Sequence, residues 1–150
     1  MADDYRVENI IALCVKKRGF LTKPEFLELC RWKSPRSKHL VERNSVGFVE
    51  EVTRTALSTP EERLRIEVLT LLTGVGWPSA SVLLHFAHVD PYPILDYRAL
   101  WSLGIDHVPA AYDFDFWMAY TLFCRKLAAE VGVSMRQLDR ALWQYSKENQ

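Results

Sequence analysis

Two glycines stand two positions apart between two apolar stretches with helical patterning, in the segment Leu72-Thr73-Gly74-Val75-Gly76. Glycines at this spacing let the backbone turn tightly and direct successive N–H groups outward. The helix predicted after the turn adds its own N-terminal N–H groups and dipole at the same place. The segment therefore predicts a site that holds one phosphate through backbone N–H groups, without reading bases. The alternative is a plain glycine turn between two helices.

The stretch from Leu64 to Gly104 resembles the helix-hairpin-helix DNA glycosylase superfamily. In that family a Leu-Pro-Gly-Val-Gly hairpin precedes a helix and then a catalytic Asp. Here the hairpin 72–76 is followed by the run Pro93-Ile94-Leu95-Asp96. Gly74 and Asp96 are 22 residues apart, which is the family spacing. The Pro-Ile-Leu-Asp run is especially similar to the adenine-mismatch branch of the family.

The resemblance implies a DNA-binding hydrolase of base-excision repair that cleaves a base–sugar bond and needs no cofactor. Asp96 would be its catalytic carboxylate, stabilising the positive charge that develops on the sugar and orienting the attacking water. The family flips its target nucleotide out of the duplex, and aromatic residues near Asp96 would form the base pocket. These residues are Tyr92, Tyr97 and Trp101. The residues that would contact DNA in the hairpin are Leu72, Thr73, Gly74, Val75 and Gly76. The alternative role for Asp96 is only to cap the helix that follows it.

Departures from the family pattern restrict this chemistry and leave two other functions open. Family members that also cleave the DNA strand carry a Lys two residues after the second hairpin glycine, but Pro78 occupies that position. Proline has no amine, so a lyase step through the motif lysine is excluded. Only about 70 residues precede the hairpin, fewer than the family usually places there. The first alternative is a non-catalytic helix-hairpin-helix protein that binds nucleic acid, and the second is a helical protein-interaction module.

Charge is balanced over the whole chain but is unevenly placed. The 19 Lys and Arg match 19 Asp and Glu, which excludes a strongly cationic nucleic-acid coat. Residues 1–45 nevertheless carry a net charge of +4, densest from Arg31 to Arg43. If the hairpin binds DNA, the best additional phosphate contacts are Lys33, Arg36 and Lys38. The alternative is a solvated surface loop, in which Trp32 anchors the chain rather than stacking on a base.

The placement of the cysteines, histidines and apolar residues argues against a disulfide-bonded, metal-binding or membrane protein. Cys14, Cys30 and Cys124 are odd in number and widely spaced, which predicts reduced core cysteines rather than disulfides or a metal motif. His85 and His88 have no convincing third ligand, so no metal site is predicted. No secretory signal opens the chain and no apolar run approaches the length of a membrane span. We therefore expect a cytoplasmic protein without membrane contact.

Helical spacing of apolar residues runs through almost the whole chain, and no stretch shows useful β alternation. We predict one all-α domain over residues 1–150, a compact bundle of about eight or nine short helices with the helix-hairpin-helix motif at about residues 64–104. Local start and stop signals place several helix ends. They are a capping box at Thr59–Glu62, an N-cap at Asp96, a long helix from about Asp113 to Gly132, and a second capping box formed by Ser134 and Gln137.

Overall fold

The structure is a computed structural model that describes residues 2–150, with side chains from Asp4 onward. All regular secondary structure in the described residues is helical, which confirms the predicted all-α class. The chain divides into two compact units, Met1–Asp90 and Pro91–Gln150. The prediction of a single domain over residues 1–150 stays a prediction, because compactness does not tell whether either unit folds alone.

The first unit places seven α-helices around a buried apolar core. In chain order the elements are α1 (Ala2–Tyr5), a π-helical segment (Arg6–Ile11), α2 (Ala12–Arg18), α3 (Lys23–Lys33), a 3₁₀ turn (Pro35–Ser37), α4 (Lys38–Val41), α5 (Val46–Ser58), α6 (Glu62–Leu69) and α7 (Trp77–Ala87). The core takes side chains from most of them, among them Val15, Phe26, Val49, Ile66, Leu69 and Ala80. The turn between α6 and α7 carries the predicted hairpin.

The second unit consists of α8 (Tyr97–Ser102), α9 (Phe114–Val131) and α10 (Met135–Asn149), preceded by an irregular stretch from Pro91. Trp117 of α9 is fully buried and stacks on Tyr92, with ring centroids 5.7 Å apart and an angle of 6° between the ring planes. The Tyr120 hydroxyl donates a hydrogen bond to the Ile94 carbonyl at 2.8 Å. These contacts hold the irregular stretch against α9.

Three predicted helix starts are confirmed. Asp96 caps α8 by accepting a hydrogen bond from the Ala99 N–H at 2.8 Å, and Asp113 caps α9 in the same way. Ser134 and Gln137 form the predicted capping box at the start of α10. Such caps depend on residues within one helical turn, so the local sequence is sufficient to specify them.

The capping box predicted at Thr59–Glu62 is wrong, because α6 begins only at Glu62 and has no side-chain cap. The Thr59 hydroxyl instead accepts a hydrogen bond from the Glu61 N–H at 3.1 Å. Arg65 is buried, donates from Nε to the Ala56 carbonyl at 3.1 Å, donates to the Thr59 carbonyl, and pairs with Glu62. Its guanidinium thus binds carbonyl groups at the C-terminal end of α5 and in the turn that follows.

The prediction of three core cysteines holds for Cys30 and Cys124, which are buried, but is wrong for Cys14, which is exposed. The π-helical segment before α2 explains the difference. A π-helix bonds each residue to the fifth one before it, so a short π-helical segment inserts one extra residue relative to the α-helical pattern. The extra residue turns Cys14 about 100° away from the face that Val7 shares with the core. All three cysteines are free thiols.

Within residues 2–150, no helix combines the length and the apolar character that crossing a bilayer requires.

Candidate nucleic-acid interface

The hairpin between α6 and α7 has apolar side chains facing inward and a backbone facing outward. Leu72 and Val75 are 1% and 6% exposed, and the Val75 N–H donates to the Leu72 carbonyl at 3.1 Å. Thr73 and Gly76 are exposed, and Gly74 is half-buried. Among the residues predicted to contact DNA, Leu72 and Val75 therefore anchor the turn, while Thr73 and Gly76 lie at its surface.

Gly74 is the position that allows this turn to pack closely against α4. Its φ is +84°, in the left-handed region that side chains rarely adopt. A Cβ atom there would lie 2.8 Å from Leu40 Cβ and 3.1 Å from the backbone nitrogen of Val41. Gly76 differs, since its φ is −97° and a Cβ would find its nearest neighbour at 3.9 Å, in Pro78. The two glycines therefore have different roles: Gly74 is required by packing, and Gly76 is open to substitution.

The side chain of Asn44 holds the hairpin in place through hydrogen bonds to Thr73, and this role was not predicted from the sequence. Its side chain is buried, accepts a hydrogen bond from the Thr73 N–H at 2.9 Å, and donates to the Thr73 carbonyl at 3.0 Å. The same amide group donates to the Val41 carbonyl at 2.9 Å. The segment Glu-Arg-Asn-Ser looks like an ordinary polar turn, so no local signal indicates this long-range contact.

Two backbone donors remain at the tip of the hairpin. Within the described part of the chain, the N–H groups of Gly74 and Gly76 have no hydrogen-bond acceptor. Gly76 is also the N-cap residue of α7, an eleven-residue helix, so the positive end of the helix dipole lies at the same place. Backbone donors without an acceptor, beside the positive end of a helix dipole, suit an anion such as a phosphate.

Two of the basic residues predicted to contact phosphate lie in or just before α4, the helix that packs against Gly74. Lys38 is the first residue of α4, the helix whose Leu40 and Val41 contact Gly74, and Arg36 lies in the preceding 3₁₀ turn. Both side chains are exposed. Lys38 makes only a loose pair with Glu42, with Nζ 4.0 Å from the carboxylate, so it can turn to another anion. Lys33 is different, because it is half-buried at the end of α3.

Trp32 takes the anchoring role rather than presenting a face for stacking. Its indole N–H donates to Asp4 Oδ1 at 2.6 Å, which ties α3 to α1. Its ring meets Phe86 of α7 edge to face, with centroids 5.1 Å apart. The contacts favour the loop-anchor alternative, and the basic contacts near the hairpin are then Arg36 and Lys38.

Asp96, the predicted catalytic residue, lies in the second compact unit, whereas the hairpin lies in the first. Its carboxylate is half-buried and caps α8, so the capping role is confirmed. Burial raises the pKa of the Tyr112 hydroxyl, and the negative charge of Asp96 raises it further. The Asp96 carboxylate therefore interacts electrostatically with the Tyr112 phenol in its own unit.

The three residues predicted to form a base pocket have different environments. Tyr92 is 1% exposed, stacked on Trp117, and covered by the Arg125 guanidinium 4.6 Å from its ring centre. A base could reach that ring only if these contacts opened. Tyr97 and Trp101 are 61% and 40% exposed on α8. The structure thus keeps Tyr92 in the interior and brings the other two rings to the surface.

The histidines after the hairpin are accounted for by structural contacts. The buried His88 accepts a hydrogen bond on Nδ1 from the Asp90 N–H at 2.9 Å, and His85 packs its ring edge against Phe86. Among the side chains that the structure describes, no group of three or more His, Cys, Asp or Glu residues could hold a metal ion.

Comparison with known proteins gives no match: no family model, no curated protein and no solved structure matches this chain. The resemblance to the helix-hairpin-helix glycosylases therefore stays a prediction from the residues that carry it.

Proposed function

We propose that this protein binds DNA through the hairpin tip, with the exposed cations before α4 as flanking phosphate contacts. The observation that carries the proposal is the pair of unpaired N–H groups of Gly74 and Gly76, held on a turn that Asn44 clamps. The hairpin packs against α4, whose first residue is Lys38. Backbone donors and a nearby cation together are the elements of a phosphate site that does not read sequence.

The proposed contact is small, and its size sets the expected salt dependence. Arg36 and Lys38 are exposed cations on the segment that leads into and begins α4, the helix that packs against Gly74. Each neutralised phosphate of duplex DNA contributes about −0.9 to the slope of log affinity against log salt, so two contacts predict a slope of about −2. A protein of zero net charge suits this weak, local type of binding better than wrapping of a long DNA segment.

Gly76 offers the sharpest test, because its Cβ position is open and its φ suits any residue. Gly76→Glu places a negative charge beside the two N–H groups, and Gly76→Ala adds a side chain without charge. We expect the Glu variant to lose duplex binding and the Ala variant to keep most of it, measured by fluorescence anisotropy at increasing salt. Lys38→Gln should lower the salt slope by about one.

Equal affinity of the Gly76→Glu variant and the wild type would place the DNA contact elsewhere on the protein. Absence of duplex binding even at low salt would overturn the proposal and leave the protein-interaction module as the remaining function. Thermal unfolding of both Gly76 variants is the control, because a Cβ at position 76 makes only ordinary van der Waals contact, with Pro78 at 3.9 Å.

A second candidate function is hydrolysis of a base–sugar bond with Asp96 as the essential carboxylate. The observation that favours it is a half-buried carboxylate with two exposed aromatic rings, Tyr97 and Trp101, on the helix that it caps. The carboxylate would stabilise the cationic sugar and orient water, and Pro78 removes the lysine of the strand-cleaving branch. The reaction would be monofunctional and needs no cofactor.

The test of this candidate is a panel of damaged and mismatched duplexes, with wild type compared with Asp96→Asn. Asparagine caps helices as well as aspartate does, so the variant keeps α8 while losing the negative charge. Base release by the wild type and not by the variant would support catalysis. Binding without base release across the panel would remove the enzyme and leave the non-catalytic DNA-binding protein.

A further inference from the structure

Four exposed aromatic side chains of the second unit lie on two helices that pack together. Tyr97 and Trp101 belong to α8, and Trp143 and Tyr145 belong to α10; their exposed fractions lie between 40% and 61%. We call these four rings, with Arg98 and Lys147, the aromatic–cation surface. Within α8 and α10 as described, all exposed large apolar side chains are aromatic, with no exposed Leu, Ile or Val.

The packing of α8 on α10 determines how these rings are arranged. The Ser102 hydroxyl donates to the Leu142 carbonyl at 2.5 Å, and Arg98 contacts the Ser146 hydroxyl at 3.4 Å. Residues 142 and 146 therefore mark the side of α10 that faces α8. At about 100° per residue, Trp143 and Tyr145 project to either flank of that contact. Each flank then carries one ring from each helix.

Contacts between the rings and the cations follow this arrangement. On one flank, Trp101 and Tyr145 have centroids 5.9 Å apart and planes tilted by 36°. On the other, the Arg98 guanidinium lies 5.4 Å from the Tyr97 ring centre and 5.6 Å from that of Trp143. Lys147 places its ammonium group 5.2 Å from the Trp143 ring centre. On this second flank, stacking surfaces and positive charge thus occur within a few ångströms of one another.

Charge in the second unit is concentrated on the same two helices. The helices α8 and α10 carry four Arg or Lys and two Asp or Glu, whereas the remainder of residues 91–150 carries two and five. One of the two acidic residues, Asp139, is already paired with Arg136 at 2.7 Å. The positive excess favours an anionic occupant for the surface.

We infer that the aromatic–cation surface binds single-stranded DNA, with unpaired bases stacking on its rings and phosphates meeting Arg98 and Lys147. Bases stack on aromatic side chains whatever their sequence, and neighbouring cations follow the backbone. The positive excess on α8 and α10, and the contacts of Arg98 and Lys147 with the rings, favour a polyanion with unpaired bases over an uncharged partner. The inference extends the proposed DNA binding to unpaired DNA but rests on different residues, which lie in the other compact unit.

The test measures binding of the protein by fluorescence anisotropy. One labelled probe is a twenty-nucleotide oligothymidine, and the other is an abasic deoxyribose-phosphate oligomer of equal length and charge. We expect the oligothymidine to bind and the abasic oligomer to bind at least about fivefold more weakly, the low end for loss of stacking on one base. Trp101→Leu and Trp143→Leu should each weaken oligothymidine binding to a similar extent, and Trp143→Phe should restore part of the loss.

Phe123→Leu is the matched control, because Phe123 is 48% exposed on α9 and is not part of the surface. It should leave the affinity unchanged, and thermal unfolding should show that all four variants fold. Equal binding of both oligomers would overturn the inference, because charge alone would then explain the affinity. Loss of self-association in the Trp variants, without loss of oligothymidine binding, would assign the surface to a second copy of the chain.

The Gly76→Glu variant separates this inference from the proposed duplex binding. If both sites exist, Gly76→Glu loses duplex binding and keeps oligothymidine binding, while the Trp variants show the reverse. If oligothymidine binding is lost only in Gly76→Glu, the hairpin binds both forms of DNA and the inference is wrong, although the proposed function stands.

Discussion

The side-chain amide of Asn44 bonds to both the N–H and the carbonyl of Thr73, at 2.9 and 3.0 Å, and so fixes the orientation of one peptide on each side of that residue. The two residues are 29 positions apart in sequence. A buried side chain that bonds to both groups of one residue leaves little freedom for rotation of the backbone there. The direction in which the next N–H groups point is therefore set by a residue outside the hairpin.

Removing the Asn44 amide should loosen the hairpin and destabilise the fold. Asn44→Ala leaves the part-buried backbone groups of Thr73 and the buried Val41 carbonyl without their partner, so we expect a loss of about 1–3 kcal/mol. Asn44→Asp can still accept from the Thr73 N–H but cannot donate, and the buried charge adds a cost. Urea unfolding measures the loss, and faster amide exchange of Thr73 would locate it. Unchanged exchange at Thr73 would contradict the clamp.

The two hairpin glycines should respond differently to the same substitution. Gly74→Ala forces a side chain into φ +84° and against Leu40 and Val41, which should cost more than the roughly 1–2 kcal/mol of a left-handed residue alone. Gly76→Ala meets no atom closer than 3.9 Å, so its stability should stay within about 0.5 kcal/mol of wild type. Thermal or urea unfolding of the two variants checks this difference. Similar stability of both would contradict the close packing of α4 on Gly74.

Thiol labelling should distinguish the three cysteines. Burial raises the pKa of Cys30 and of Cys124 to about 12, and their side chains are 2% and 0% exposed, so neither offers a reactive thiolate in the folded protein. Cys14 is exposed. With a maleimide reagent and mass spectrometry, we expect one adduct on the native protein and three in denaturant. Cys14→Ser should give none under native conditions, and a second native adduct would show that a buried site opens.

The ion pair of Arg6 and Glu28 should contribute a small pH-dependent part of the stability. A hydrogen bond from Arg6 lowers the pKa of Glu28, and Nε of Arg6 lies 2.7 Å from the carboxylate. Because the folded pKa is below the unfolded one, the contribution is complete above the ordinary Glu pKa of about 4.3 and is lost as pH falls through the folded value. The stability difference between wild type and Glu28→Gln should therefore shrink below about pH 4.3.

Urea unfolding at several pH values checks this pH dependence. Glu51→Gln is a suitable control, since it also removes one carboxylate from an ion pair, there with Arg54 within a single helix. A difference between wild type and Glu28→Gln that stays constant with pH would mean that the pair does not stabilise the charged form of Glu28.

The sequence was sufficient for the features that depend on a few neighbouring residues. The all-helical class follows from apolar periodicity, and the caps at Asp96, Asp113 and Ser134 each use a donor three residues away. The hairpin turn could be placed because the positive φ of Gly74 excludes most other residues. For the caps and for the hairpin turn, the physical cause lies within about four neighbouring residues.

Features that depend on distant residues could not be predicted. The start of α6 is decided by the buried Arg65, whose guanidinium reaches back to Ala56 and Thr59, and no capping rule includes such a side chain. Trp101 and Tyr145 are more than forty positions apart in sequence, so their pairing, and with it the aromatic–cation surface, is visible only in three dimensions. The π-helical segment changed which face holds Cys14, and apolar spacing alone assumes that no such turn occurs.

The boundary between the two compact units falls on the peptide bond from Asp90 to Pro91, which is the one Asp-Pro bond in the sequence. Both residues are exposed. An Asp-Pro bond hydrolyses in warm dilute acid faster than other peptide bonds, because the aspartyl carboxyl group attacks its own carbonyl and the basic proline nitrogen leaves readily. Acid hydrolysis therefore divides this chain where its packing divides, and releases residues 1–90 and 91–150 without a protease.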